Sequence, residues 1–514
     1  MIRNTLFFIP FLACYFFFFF LISTRISLAQ NEPSINGTFE RGVYKPDGWS
    51  LSAGEGKWER EGYEGLHSIS VTGTGKENDS NYWKCDSYTL LPSHTYRVSF
   101  MSRISPNASG GNVITGSNIA NRDYQVGTKW EKRSFVFTTP TDTKNAFLRF
   151  GQWQKSGKVW FDNIEANQVV AIHKKQDDIE LGAGESIKDG VYSFRHNLND
   201  EGSNSARVLY SHTAVFNSNR WVMGDGSEVV YHHEINDYIQ KNVSISIEIG
   251  YYISGKCIVE ASKDGNRWQN IGEFGELGRR EFYLPDDMSI SKDIFIRLRA
   301  SSKDGMPPQF QIYGYSYKSK LEGESITNMI GETKYADIIK ANKDVNIDIL
   351  SVGDLRPGGD NMVKLSVTNK GKSATSLWLN IELKGTEKGE FSTEAFNVPA
   401  DETREAEIGY EIHKSGDFEI IASAITPNDQ VLYSLRLPFN VSQLYDSNYG
   451  YTISNDEVCS VWWAESTHKI SKERPVPLEK NDLISISSAK NEYESFQIAI
   501  RPEKDMNNIS IETS

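Results

Sequence analysis

Apolar and polar residues alternate with a period of two in short runs along this chain. Tyr96-Arg97-Val98-Ser99-Phe100, Ser134-Phe135-Val136-Phe137, Ser244-Ile245-Ser246-Ile247-Glu248-Ile249 and Val363-Lys364-Leu365-Ser366-Val367 are examples. A strand points successive side chains to opposite sides, so each run predicts a strand with one buried face. Clusters of Gly, Asn, Asp and Ser separate the runs, as turns require. No long stretch carries the helical period. The pattern predicts an all-β chain of β-sandwiches in series.

At 514 residues the chain is long enough for about three or four domains. The runs and breaks place a first sandwich at 31–168, a second at 185–320, a third at 344–442 and the start of a fourth at 445–514. A polar connection is expected at 321–343. In the second segment, Cys257 to Ser262 reads as a strand, Asp264-Gly265 as its turn and Trp268 as the residue closing a hairpin. In the third, Asn369-Lys370-Gly371-Lys372 reads as a turn between two strands. The fourth breaks off inside an expected strand, Ile509 to Thr513, so the chain reads as the front end of something longer.

Four family resemblances refine this reading. Asn36-Gly37-Thr38-Phe39-Glu40, Pro46-Asp47-Gly48-Trp49, Gly65 to Val71 and Val159-Trp160-Phe161-Asp162-Asn163 resemble, in that order, the jelly-roll carbohydrate-binding modules of families 4 and 9. The hairpin Ser262-Lys263-Asp264-Gly265-Asn266-Arg267-Trp268 is similar to that of discoidin-like, galactose-binding-like sandwiches. The third segment looks like an immunoglobulin-like spacer. Ala489-Lys490-Asn491-Glu492-Tyr493-Glu494-Ser495-Phe496-Gln497 resembles the sandwich that precedes the catalytic barrel of family 123-like glycoside hydrolases. Together they imply the carbohydrate-binding front of a secreted glycoside hydrolase. No catalytic residue is expected within 1–514, because that family's acidic pair would lie in a barrel not present here. The alternative is a non-enzymatic adhesion or matrix-binding protein made of the same sandwiches.

Composition narrows the partners. A net charge of -13 opposes nucleic-acid binding, which needs cationic groups to meet phosphates. Arg3, the apolar run Leu6–Ile22 and the small residues around Ala29 predict a signal peptide at 1–29, hence export to the cell surface, periplasm or medium. An uncleaved membrane anchor and a lipid attachment at Cys14 are the other readings of the same run. The remaining cysteines, Cys85, Cys257 and Cys459, fall one to a segment and read as isolated thiols. His232 and His233 are adjacent and would face opposite sides of a strand, which disfavours a joint metal site.

Sugars offer an apolar face of C–H groups and a rim of hydroxyls, so their sites combine aromatic platforms with amides and charged groups. Trp58, Tyr82, Trp83, Tyr124 and Trp153 lie among polar neighbours and are the candidate platforms, with Gln152 beside Trp153 as a hydroxyl partner. The jelly-roll resemblance further implies a structural Ca2+ held by Glu40 and Asp162; the other reading has both carboxylates accepting hydrogen bonds at strand ends. Glu492 and Glu494 would share one face of a strand, and the family 123 resemblance puts that strand in a supporting role.

Overall fold

The computed structural model describes residues 35–195, 198, 204–323 and 326–505. The signal-peptide region and the expected strand at Ile509–Thr513 lie outside them. The chain is all-β, as its alternation predicts: among the described residues the only helical turns are Asp286–Ser289 and Gln443–Tyr445. No helix of the described residues is long and apolar enough to cross a membrane.

Side-chain alternation builds three separate cores. The first gathers Phe39, Trp49, Ile69, Phe100, Phe150 and Phe161. The second gathers Tyr192, Trp221, Ile247, Cys257, Ile296 and Tyr317. The third gathers Ile347, Leu365, Leu379, Ile420 and Leu435. A last small sheet joins Tyr451–Asn455, Cys459–Glu465 and Phe496–Pro502, with Trp462 and Trp463 buried in it. Glu492 and Glu494 precede the strand Phe496–Pro502 and lie in irregular backbone, so the shared strand face expected for them does not form.

The hairpin of the second sandwich forms where expected. Strands Lys256–Ser262 and Gln269–Phe274 flank a turn in which Gly265 takes φ +70° and Asp264 accepts the backbone N–H groups of Asn266 and Arg267. Trp268 carries the guanidinium of Arg297 at 4.3 Å from its ring. Cys85, Cys257 and Cys459 are free thiols, and burial pushes the Cys257 thiol up to about 12.

The sandwiches are joined by strands rather than by flexible connections. The sheet Trp49–Leu51, Ser80–Cys85, Arg149–Trp153, Asn112–Gly116, Ala120–Tyr124 belongs to the first core. It continues without a gap into the second: Val215–Asn217 pairs parallel with Ala120–Tyr124, and Arg220–Met223 and Gln309–Glu322 follow. The strand Ser156–Gln176 runs for 21 residues, roughly 70 Å of extended chain at the usual rise. Its first part pairs with Ser68–Thr74 and Thr95–Ile104 of the first sandwich, its second part with Thr333–Lys340 of the third. The position 168 therefore falls inside a strand. The stretch 321–343, expected as a polar connection, contains strands Met329–Ile330 and Thr333–Lys340.

Candidate functional site

In the sheet of the first sandwich, one face points into the core and the other outward. Asn81, Trp83 and Cys85 are buried, so their neighbours Ser80, Tyr82 and Lys84 point out. The register carries this across the sheet: Ser80 lies opposite Trp153, Tyr82 opposite Gly151 and Lys84 opposite Arg149. Trp153, 43% exposed, stands between Ser80 and Asn112. Next along its strand is Gly151, where a Cβ would sit 2.1 Å from the Asn81 carbonyl oxygen. Only glycine fits there, because Tyr82 of the neighbouring strand packs over it. The Arg149 guanidinium lies 5.5 Å from the Tyr82 ring, and Phe147 stacks on Tyr82 at 6.2 Å. Burial holds the Arg149 pKa below its ordinary value, and its Nη2 donates to Asn121 Oδ1 at 3.2 Å. Beyond Phe147 lies a hollow of about 950 Å3 lined by Lys84, Asp142 and Lys144 among others.

Of the six residues predicted for sugar contact, the structure brings Tyr82 and Trp153 onto this face. Trp83 and Gln152 are corrected. Trp83 is 5% exposed and its indole donates to the Ser70 carbonyl at 2.9 Å. Gln152 is fully buried, donates to Asn81 Oδ1 at 2.7 Å and accepts the Lys155 N–H at 2.8 Å. Tyr124 packs edge-on to Phe100 at 5.7 Å and donates to the Ser134 carbonyl at 3.2 Å, so it faces the core rather than the platform. Trp58 is half-buried, stacks on His67 at 4.7 Å and donates to the Phe39 carbonyl, away from Tyr82 and Trp153. Polar neighbours in sequence do not report which way a strand residue faces. The adjacency of Tyr82 and Trp83 already meant that only one of them could point outward. Phe147 and Arg149 escaped the sequence reading because nothing local marks them.

Glu40 and Asp162 meet at the loop 61–67. Asp162 Oδ2 accepts the N–H groups of Tyr63 and Glu64 at 2.6 and 3.4 Å, and Oδ1 accepts that of Asn163 at 2.8 Å. Glu40 Oε1 accepts Leu66 and His67 N–H, both at 2.8 Å, and its Oε2 lies 3.0 Å from His67 Nδ1. Both readings of the pair thus share one geometry, since both carboxylates do take backbone hydrogen bonds. Asp162 is nonetheless fully buried, and desolvation, helped by the charge of Glu40, pushes it up to about 6. Glu40 goes the other way: burial opposes it, but the hydrogen bonds from His67 and Leu66 hold it below the usual carboxylate range. The side-chain oxygen of Asn163 is buried without a hydrogen-bond partner. Two carboxylates at one loop, one of them buried, and an orphaned amide oxygen are hard oxygen donors of the type Ca2+ takes.

A further group, His232, Glu234 and Asp293, has ligand atoms within 4.8 Å of one another. His232 Nε2 is hydrogen-bonded to Asp293 at 2.9 Å. His233 points the opposite way, into the core, with Nε2 at 2.9 Å from Tyr315 Oη.

No family model and no curated protein matches the chain. Solved structures similar to it include the CBM22-1–CBM22-2 tandem domain of Paenibacillus barcinonensis Xyn10C, at 12% identity and TM-score 0.24, covering 55% of this chain and 96% of that one. Another is Bacteroides uniformis beta-glucuronidase 2, at 9% identity and TM-score 0.17, covering 43% of this chain and 26% of that one. A third is a putative beta-galactosidase from Bacteroides fragilis, at 13% identity and TM-score 0.16, covering 44% and 33%. The chain thus spans between a quarter and a third of the length of these two enzymes.

Proposed function

We propose that this is an exported carbohydrate-binding chain that serves as the recognition front of a glycoside hydrolase, holding a polysaccharide or glycan on the outer face of its first sandwich. The observation that carries the reading is the pair Trp153 and Tyr82: two aromatic residues on one outward face of neighbouring strands. Rings stack on the C–H faces of sugars, and Arg149, Asn112 and Lys84 stand within the same face to meet hydroxyls. Catalysis would be supplied by groups other than those described.

Affinity electrophoresis of chain 30–514 in gels carrying neutral polysaccharides tests this. Trp153→Ala is expected to weaken retention by about 1–3 kcal/mol, the scale of withdrawing a large apolar ring from contact. Its melting temperature should stay close to that of the parent, because the ring is half in water. No retention of folded parent protein on any glycan, with capture on an extracellular-matrix protein instead, would transfer the chain to the adhesion class.

The same reading includes a structural Ca2+ held by Glu40, Asp162 and the Asn163 side-chain oxygen. Without the ion, the native state keeps the proton on Asp162 up to about pH 6 while the unfolded chain loses it near pH 4. The unfolded state therefore binds fewer protons between these values, and stability falls as pH rises from about 4 to about 6. Calcium is expected to raise the melting temperature above pH 6 and to do little near pH 4. Asp162→Asn should remove the response to calcium. A chelator titration monitored by calorimetry that shows no shift at pH 7 would eliminate the ion.

A further inference from the structure

The outward face of the second sandwich contains a cavity of about 870 Å3, within the range of small-ligand sites. Its floor comes from neighbouring strands. Ser246 lies opposite Ser316, Ser244 opposite Lys318 and Glu248 opposite Gly314. Ile245, Ile247, Tyr315 and Tyr317, which alternate with them, fill the core behind. The walls are Glu248, ion-paired to Arg279 at 2.5 Å, then Glu281 and the half-buried ring of Tyr313. The Tyr313 ring is pressed against Gly250, where a Cβ would lie 2.5 Å from it, and its hydroxyl donates to Gln311 Oε1 at 3.2 Å.

We propose that this cavity is a second saccharide site, taking a polyhydroxylated chain; the proposal rests on the reading of the protein as a glycan binder. The chemistry of the lining selects the ligand class. The hydroxyl-bearing Ser244, Ser246 and Ser316 line the cavity. Each both donates and accepts, as a sugar hydroxyl demands. Glu248 adds acceptors, and Arg279 and Lys318 add donors. Arg195 lines the cavity as well, so three cations face two carboxylates and the lining accommodates neutral and acidic sugars alike. Tyr313, on the outward side, supplies a ring for an apolar sugar face.

The two sites share a face. Ala120 and Phe216 are paired residues that both point into the cores, while Asn121 and Asn217 point outward, with Asn121 Nδ2 donating to Asn217 Oδ1 at 3.1 Å. From Arg149–Trp153 to Gln309–Glu322 the sheet order counts five strand steps, roughly 24 Å at the usual spacing. Two weak sites at a fixed separation on one rigid sheet raise avidity on a polymer without the slack of a linker.

Titration calorimetry on chain 30–514 tests the proposal with five probes: cellohexaose, xylohexaose, mannohexaose, chitohexaose and hexagalacturonate. Trp153→Ala leaves only the cavity, and Ser316→Trp fills it. Ser244→Trp replaces the latter if it fails to melt cooperatively. The expected result is that one probe still binds the Trp153→Ala chain and that adding Ser316→Trp lowers that affinity at least tenfold. If Trp153→Ala abolishes all binding and Ser316→Trp changes none, the cavity is no site and the first-sandwich reading stands. If Ser316→Trp abolishes all binding and Trp153→Ala changes none, the cavity stands and the Trp153 platform falls. No binding of any probe by the parent chain overturns both.

Discussion

Replacing Glu185 by alanine is expected to cost the second sandwich about 3–5 kcal/mol, because it strands a cation inside the protein. Glu185 is 1% exposed and accepts four hydrogen bonds: from Arg207 Nε and Nη2 at 2.7 and 2.6 Å, from the Gly182 N–H at 2.6 Å and from Tyr192 Oη at 2.7 Å. The fork matches the carboxylate oxygen for oxygen. Burial alone would lower the Arg207 pKa, but Glu185 drives it well above the ordinary value. The network continues from Tyr192 to His233 and from His233 to Tyr315. A Glu–Tyr–His chain looks like a proton relay. Here all three are sealed from solvent, and burial holds His233 far below its usual pKa, so it is neutral and structural. Urea unfolding followed by tryptophan fluorescence would measure the loss. Glu185→Gln keeps the shape and one acceptor and should fall between parent and alanine. A cost below about 1 kcal/mol for Glu185→Ala would mean that the pair is no better than a surface ion pair.

Asp337→Ala should have an effect of similar size, about 3–5 kcal/mol, and should also change how the protein unfolds. Asp337, 1% exposed, holds two arginines from different sandwiches. Arg97 of the first donates from Nε at 2.7 Å, and Arg436 of the third donates from Nε and Nη2 at 3.1 and 2.8 Å. Arg97 Nη2 also donates to the Tyr335 carbonyl at 2.9 Å. Alanine leaves both guanidinium groups facing each other with no carboxylate between. Calorimetry is expected to show an unfolding profile that separates into distinct transitions for the first and third sandwiches. Glu165→Ala is the control: Glu165 meets Arg436 at 2.8 Å but is 52% exposed, so its loss should cost less than about 1 kcal/mol. Equal effects from the two variants would refute the buried-clamp account.

The strands were legible because alternation is a local signal. Ser244 to Ile249 reads the same in sequence and structure, and the Asp264-Gly265 turn needs only its own residues. Contacts between distant segments were not legible. The junction of the first two sandwiches includes the strand pairs Ala120 with Phe216 and Asn121 with Asn217 and the hydrogen bonds between Thr138 and Asn204, and nothing near either segment announces the other. The platform residues were half legible for the same reason. Tyr82 and Trp153 were picked out as aromatic among polar neighbours, yet so were Trp83 and Tyr124, which a strand's alternation turns inward. The cavity of the second sandwich was invisible because its floor is serine and glycine, which in sequence look like turn material. Glu40 and Asp162 were found through a resemblance, and the burial that separates their behaviour appears only in three dimensions.

The joined sheet also determines what can be moved from this protein into another. Most sandwich modules behave as cassettes, each closed on itself and exchangeable at its linkers. Here a cut after the first sandwich would lay bare the Ala120–Tyr124 edge where Val215–Asn217 was paired, and would leave the second half of the Ser156–Gln176 strand hanging. Raw edges of that kind invite pairing with other chains and aggregation. Grafts that carry 35–441 whole keep every one of these edges covered, whereas single-sandwich grafts inherit a sticky border. Shuffling by recombination would meet the same obstacle, so these sandwiches are expected to travel through genomes as one block.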